Sequence, residues 1–99
     1  MQAKITYDFS GKLWRYAGKG GWYFVSLPSE ISKEIRANMK WQEEGWGRMK
    51  ATATVGGVEC ETAIWFDKQR AVYLLPIKAD VRKKAKLELD QIVFVSISI

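Results

Sequence analysis

Five cations in residues 78–86 form the densest cluster of charge in this sequence: Lys78, Arg82, Lys83, Lys84 and Lys86. The whole chain of 99 residues has 16 Lys and Arg against 11 Asp and Glu, a net charge of +5. Positive surfaces of this kind attract the phosphates of nucleic acids. The candidate phosphate contacts are Arg15, Lys78, Arg82, Lys83 and Lys84. The alternative to phosphate binding is that these cations only form the solvated face of a helix.

A second chemistry comes from tryptophan, of which the chain has five. An exposed indole stacks on the ring of a ligand, and a nearby cation meets an anionic group. The hypothesis of a small anionic ligand therefore uses two indoles and two cations: Trp22, Trp65, Lys78 and Arg82. Trp41 and Trp46 are further candidates for the lining. The alternative, which the residue pattern favours, is that the tryptophans fill the core and cap one end of a barrel.

The usual catalytic groups are missing from this sequence. It has no histidine and a single cysteine, which excludes Ser-His-Asp and Cys-His mechanisms and removes the commonest metal ligand. Cys60 alternates with apolar residues, a pattern typical of a buried core residue. Glu59 and Glu61 lie on the other face, where ion pairs with a neighbouring basic strand explain them better than an acid–base dyad. We therefore predict no catalytic residues, no metal, no cofactor and no enzyme activity.

The same composition predicts where the protein works. One cysteine cannot form an internal disulfide, which fits a reducing compartment. The first residues lack the apolar segment of a signal peptide, and no apolar run approaches the roughly 20 residues of a membrane helix. We expect a cytoplasmic protein that makes no membrane contact and is a monomer or a weak homodimer.

Alternation of apolar and polar residues places most of these side chains on strands. The alternating runs are 5–13, 22–27, 48–55, 58–66, 71–75 and 92–99. Residues 15–21 hold three glycines but lack the spacing of a phosphate-binding loop, so they predict a turn between strands. Gly56 and Gly57 predict a two-residue hairpin turn.

Two helical runs each follow a Leu-Pro pair. Leu27 and Pro28 precede a run from 29 to about 39, in which Ser29 is the predicted cap, and Leu75 and Pro76 precede a run from 77 to about 86. The duplication predicts two pseudo-repeats, roughly 1–45 and 46–99, within one domain that spans 1–99. The predicted fold is mainly β: a small double-split β-barrel of about six to seven strands with two short helices and an internal pseudo-twofold repeat.

The unit of strand, Leu-Pro, helix, turn and strand resembles the swapped-hairpin unit of the AbrB, MazE and MraZ proteins, and this resemblance implies DNA binding. A closer resemblance, over nearly the whole chain, is to a small prokaryotic family known as domain of unknown function 1905, which has double-split β-barrel structures. It is carried by Leu13-Trp14, Gly20-Gly21-Trp22, Leu27-Pro28, Trp46-Gly47, and Leu74-Leu75-Pro76-Ile77-Lys78 with Val81-Arg82. That family implies the fold and no activity.

The combined prediction is a small β-barrel binding module without catalysis. Nucleic acid, in particular DNA, is the first hypothesis for its partner, and a small anionic ligand or a protein is the alternative. Because the chain lacks a long recognition helix, any binding to nucleic acid should be weak, salt-sensitive and poorly sequence-selective.

Overall fold

A computed structural model describes residues 5–45 and 47–99, which form six strands and two short α-helices. The strands are β1 (Thr6–Arg15), β2 (Tyr23–Ser26), β3 (Arg48–Val55), β4 (Val58–Asp67), β5 (Val72–Pro76) and β6 (Ile92–Ser98). The helices are α1 (Ser29–Met39), which a 3-10 turn Lys40–Gln42 extends, and α2 (Ala79–Lys84). The predicted class, a small and mainly β barrel, is confirmed.

The six strands close into one antiparallel barrel in the order β1-β2-β5-β4-β3-β6, with β6 also paired to β1. This order is symmetric: β1-β2-α1-β3 matches β4-β5-α2-β6, with β2 paired to β5 and β3 paired to β6. Closure removes the exposed strand edges that each half would present alone. In this symmetry the first repeat ends at the turn between β3 and β4. The sequence predicts the division between the two repeats earlier, near residue 45.

The core lies inside the barrel, because alternate residues of each strand point inward. Its largest fully buried apolar side chains include Leu13, Leu27, Met49, Ile64, Tyr73, Leu75 and Ile97. Helix α1 adds Ile35 and Met39, and the hydroxyl of its buried Ser32 accepts a hydrogen bond from the Tyr73 backbone N–H at 3.0 Å. A helix face and a strand are thereby held together without leaving a buried donor unpaired.

The two helices differ from the predicted ones in the cap of α1 and in the length of α2. Helix α1 begins at Ser29 with Pro28 in the cap position and no side-chain cap, so Ser29 is not the cap. Helix α2 is shorter than predicted, because Pro76 still belongs to β5 and Lys78 is extended. At its far end Lys86 adopts a positive φ of 54°, and the Leu87 N–H returns to the Arg82 carbonyl at 2.9 Å.

Gly56 and Gly57 have φ of 55° and 87° and form the predicted turn between β3 and β4. Both angles lie in the left-handed region that glycine adopts without strain. No helix among the residues with described placement is long and apolar enough to cross a membrane.

Candidate ligand-binding site

Aromatic side chains form a row on the outer wall of the barrel. Phe24 points outward from β2, and Trp22, which precedes that strand by one residue, lies nearly parallel to it with ring centroids 6.1 Å apart. Trp65 of β4 meets Trp22 at 5.6 Å with the two rings inclined by 52°. Trp22 and Trp65 remain 44% and 39% exposed. Two indoles in mutual contact therefore offer ring surface to solvent.

A cleft of about 330 Å³ opens on one side of this indole pair. It is lined by Tyr16, Lys19, Trp22, Phe24, Trp65, Phe66, Asp67 and Leu74. Most of the lining is aromatic or aliphatic, with one ammonium and one carboxylate among it. This is the composition that small-molecule sites commonly have.

The glycine-rich segment before β2 brings Tyr16 and Lys19 to the cleft. Gly20 has a φ of 99°, and a side-chain carbon at that position would stand 2.8 Å from the indole nitrogen of Trp22. Only glycine accepts both the backbone angle and the contact. The segment is therefore a turn that folds against Trp22, as the sequence predicts, and it also supplies part of the cleft wall.

A wider groove of about 770 Å³ lies on the other side of the indole pair and shares Trp22 and Trp65 with the cleft. Its charged lining comprises three cations, Arg48, Lys50 and Lys78, and one carboxylate, Glu61. Lys50 also stands 3.8 Å from Glu44, with the lysine side chain 81% exposed. An ion pair so exposed contributes little to the free energy of folding, so a ligand anion can replace the carboxylate beside Lys50.

Three of the four residues predicted for a small anionic ligand come together here: Trp22, Trp65 and Lys78 all line the groove. The fourth, Arg82, lines neither the cleft nor the groove. Its guanidinium lies 3.8 Å above the Tyr23 ring and donates to the Ile77 carbonyl at 2.7 Å. Because this side chain is held by stacking and a hydrogen bond, its role is to fix α2 to the barrel.

The other predicted phosphate contacts are spread over the surface. Arg15 ends β1 near Gly21, while Lys83 and Lys84 lie exposed on α2. None of the three lines the cleft or the groove. The predicted set therefore does not form one continuous positive surface around the indoles.

Two further tryptophans were candidates for the lining. Trp41 is 77% exposed and donates its indole N–H to the Asn38 carbonyl at 3.2 Å, so the expectation that it caps the barrel is wrong. It lies on the 3-10 turn and lines neither opening. Trp46 falls outside the described residues.

Sequence reasoning did not select Tyr16, Lys19, Arg48 or Lys50 for the site. For Lys19 the sequence contains one signal, since it lies in the glycine-rich segment 15–21, although that segment lacks the spacing of a phosphate-binding loop. Arg48 and Lys50 had another such signal, since they alternate outward on a strand that begins two residues after Trp46 in the sequence. Which of these outward positions would face the indoles depends on strand pairing, which alternation does not report.

Two titratable side chains near the site have raised pKa values. Burial, and after it the hydrogen bond to Glu43, raises the pKa of Tyr73 well above its usual range. Burial also raises the pKa of the half-buried Cys60 thiol, and Lys78 offsets only part of that effect. A thiol kept protonated in this way is a poor nucleophile at neutral pH.

The fold and this surface define the class: a small closed β-barrel with a half-exposed indole pair between a cleft and a groove on its outer wall. The family model described as "Domain of unknown function (DUF1905)" matches residues 9–97, and the chain belongs to that family. The predicted membership is confirmed, while the more distant AbrB-like relation stays a prediction. No curated protein matches the chain.

Proposed function

We propose that the protein is a binding module for a small ligand that has a planar ring and a negative charge. The observation that carries this proposal is the contact of Trp22 with Trp65 at 5.6 Å, with both indoles about two-fifths exposed. Burying large indoles is favourable, so leaving two of them together at the surface costs stability that a ligand would restore.

The surroundings of the indole pair select the kind of ligand. Stacking of a planar ring on an aromatic side chain contributes roughly 1–3 kcal/mol, which favours a ring over an aliphatic group. Lys19 at the cleft and Lys78 at the groove offer ammonium groups on either side of the pair. A ring that carries a carboxylate, sulfonate or phosphate satisfies both features.

We also propose that the module is not an enzyme in its own right, and that it works in the prokaryotic cytoplasm as a monomer or a weak homodimer. The absence of histidine from the sequence supports the first part. The raised pKa of the one thiol, Cys60, which burial causes, supports it too. A single cysteine fits the reducing compartment.

Nucleic acid, including DNA, is the second candidate partner, and a separate observation favours it. Lys83 and Lys84 are exposed on α2 and have no ion-pair partner within residues 5–45 and 47–99. Unpaired cations of this kind release counterions when they meet phosphates. Because this surface is separate from the indole pair, binding there would leave tryptophan emission nearly unchanged.

The test is a titration with 2-naphthoate, which is planar and anionic, followed by calorimetry and tryptophan fluorescence. Cyclohexanecarboxylate is the control for the ring, and 2-naphthalenemethanol is the control for the charge. We expect saturable binding of 2-naphthoate that exceeds the binding of the ring control by roughly tenfold, since a lost stack of about 1.4 kcal/mol gives that ratio. It should exceed the binding of the charge control by roughly 1.5- to 5-fold, the range that exposed ion pairs contribute. Trp22→Ala and Trp65→Ala should each remove most of the binding.

Trp41→Ala is the matched control, because Trp41 is exposed but lines neither opening. Equal affinity for all three compounds, or equal losses from Trp22→Ala and Trp41→Ala, would contradict the proposal. Salt-sensitive binding of labelled DNA that Lys83→Glu with Lys84→Glu abolishes, while Trp22→Ala leaves it intact, would support the second candidate instead.

A further inference from the structure

We propose that the groove beside the indole pair binds phosphate groups, so that the ligand of this module is a nucleotide. This inference rests on the proposed function, because it takes the ring of the ligand to lie on Trp22 and Trp65. It adds the position of the charged part and the chemical class that follows from it.

Each of the two indoles has a cation as its neighbour across a strand pair. Arg48 of β3 lies directly opposite Trp65 of β4 in the antiparallel register. Side chains opposite each other on one face have their first carbons only about 4.5–5.5 Å apart. A guanidinium at Arg48 therefore reaches a group attached to a ring that stacks on Trp65.

For Trp22 the corresponding cation is Lys78, and both residues lie just outside the paired strands β2 and β5. Phe24 is paired with Pro76, and the Ile77 N–H donates to the Tyr23 carbonyl at 2.8 Å, which continues the pairing of β2 with β5. One step further, Lys78 comes level with Trp22. Both cations line the groove, so the two ring-and-cation pairs face the same space.

Small and charged residues lie beside the indole of Trp65 in the groove. Along β4, Glu61, Ala63 and Trp65 line it, and Ala63 itself is only 5% exposed. Lys50 lies directly opposite Ala63 in the register with β3. The groove beside Trp65 therefore has the ammonium of Lys50 at its side, and Arg48 is two residues away from Lys50 on the same strand.

The charge of the groove matches phosphate better than a single carboxylate. Three cationic side chains and one carboxylate side chain line it, and one of the cations, Lys50, also lies 3.8 Å from the Glu44 carboxylate. Arg48 has no ion-pair partner among the residues that the structure describes. Arginine binds phosphate through two parallel N–H donors, and a phosphate monoester carries close to two negative charges at pH 7. A planar base joined to phosphates supplies the ring and the charge in one molecule.

A free nucleotide and a single nucleic-acid strand share this chemistry. Both present a base that stacks on an indole and a phosphate that a positive groove accepts. The experiment therefore includes a strand as one of its arms.

The test measures the affinity of the full chain for adenosine, AMP and ADP by calorimetry at low salt without divalent metal. We expect each added phosphate to tighten binding by roughly 1.5- to 5-fold, the range that exposed ion pairs contribute. Arg48→Gln with Lys50→Gln should remove most of this gain, because only Lys78 remains among the cations of the groove, and should leave the affinity for adenosine unchanged. Lys83→Gln with Lys84→Gln removes the same charge elsewhere and should keep the gain.

The outcomes separate this inference from the proposed function. If 2-naphthoate binds at the indoles but ADP binds no tighter than adenosine, the inference is wrong and the proposed function stands. If neither 2-naphthoate nor adenosine binds, both are wrong. If the double variant at Lys83 and Lys84 loses the phosphate gain as well, general charge attraction explains the result and the inference is overturned.

A six-nucleotide single strand of deoxyadenosine distinguishes the two sources. Binding of the strand at least tenfold tighter than AMP, with the gain lost in Arg48→Gln with Lys50→Gln, assigns the groove to a polynucleotide. Equal affinity assigns it to a free nucleotide. Both results support the inference, provided that Trp22→Ala weakens the binding and keeps the native circular dichroism spectrum. Trp65→Ala serves the same purpose if Trp22→Ala does not fold.

Discussion

Removing the hydroxyl of Tyr73 should destabilise the barrel, because that hydroxyl joins β5 to the segment after α1. Tyr73 is fully buried, and its hydroxyl donates to a Glu43 carboxylate oxygen at 2.6 Å. Arg36 of α1 donates to the same oxygen at 2.9 Å and lies 3.9 Å above the Phe66 ring. Tyr73→Phe deletes one oxygen from this network and leaves the packing of the ring in place.

The expected loss follows from the partners that remain. A hydrogen bond to a charged group contributes about 1.5–3 kcal/mol. Because Glu43 keeps its bond from Arg36, we expect the lower part of that range, about 1.5–2 kcal/mol. For a domain of this size each kcal/mol shifts the Tm by roughly 4–8 °C, so Tyr73→Phe should lower it by about 6–16 °C.

The pH dependence gives a second measurement on the same residue. Burial and the bond to Glu43 raise the pKa of Tyr73 above the value of about 10 that an unfolded tyrosine has. The associated stability is fully present below about pH 10 and is lost as the pH rises through the folded pKa. Tyr73→Phe should therefore flatten the alkaline fall of the free energy of unfolding.

Tyr7 provides a matched control in the same barrel. It is 8% exposed, and its buried hydroxyl has no hydrogen-bond partner among residues 5–45 and 47–99. An unsatisfied buried hydroxyl is costly, so Tyr7→Phe should leave the Tm unchanged or raise it. Thermal and urea denaturation followed by circular dichroism compare the two variants. Equal Tm values for Tyr73→Phe and Tyr7→Phe would refute the role assigned to the bond with Glu43.

Two shorter predictions concern turns. Asp67 accepts hydrogen bonds from the Arg70 guanidinium at 2.5 Å and from two backbone N–H groups. Burial raises the pKa of Asp67, but these bonds outweigh it and the net pKa is lowered, so the stability is present above about pH 4 and is lost as the pH falls. Asp67→Asn should therefore cost about 1 kcal/mol at pH 7 and less at pH 3, as measured by urea denaturation. Lys86 adopts a left-handed φ of 54°, so Lys86→Gly should raise the free energy of unfolding by up to about 1 kcal/mol. Lys84→Gly, at the last residue of α2, should lower it, and a loss in both variants would contradict the argument.

The local pattern of residues was sufficient to predict the strands and the turns of this protein. Alternation marks which residues of each strand face the core, and Leu13, Val25 and Ile64 are buried as their positions require. That signal is strong because the side chains of a strand alternate wherever the strand is placed. The turn at Gly56 and Gly57 was equally predictable from the sequence, since few other residues adopt their backbone angles.

The Leu-Pro pairs predicted the helices after them but not where each helix begins. Pro76 is both the last residue of β5 and the partner of Phe24, and the bond from Ile77 to Tyr23 extends that pairing past the proline. A long-range pairing with β2 therefore delays α2 to Ala79. Helical periodicity in a single segment contains no information about such a competitor.

The contacts of the candidate binding residues depend on the closed barrel and cannot be predicted from the sequence alone. The residue type of Arg82 predicts a ligand contact. In the structure its guanidinium stacks on the Tyr23 ring and donates a hydrogen bond to the Ile77 carbonyl. Trp22 and Trp65 are far apart in the chain, and they meet because β5 pairs with β2 on one side and with β4 on the other. Residue type and alternation are properties of single segments, whereas the contact of two indoles is a property of which strands are neighbours. Strand order is set by closure of the whole sheet, and for that reason the site appears only in the tertiary structure.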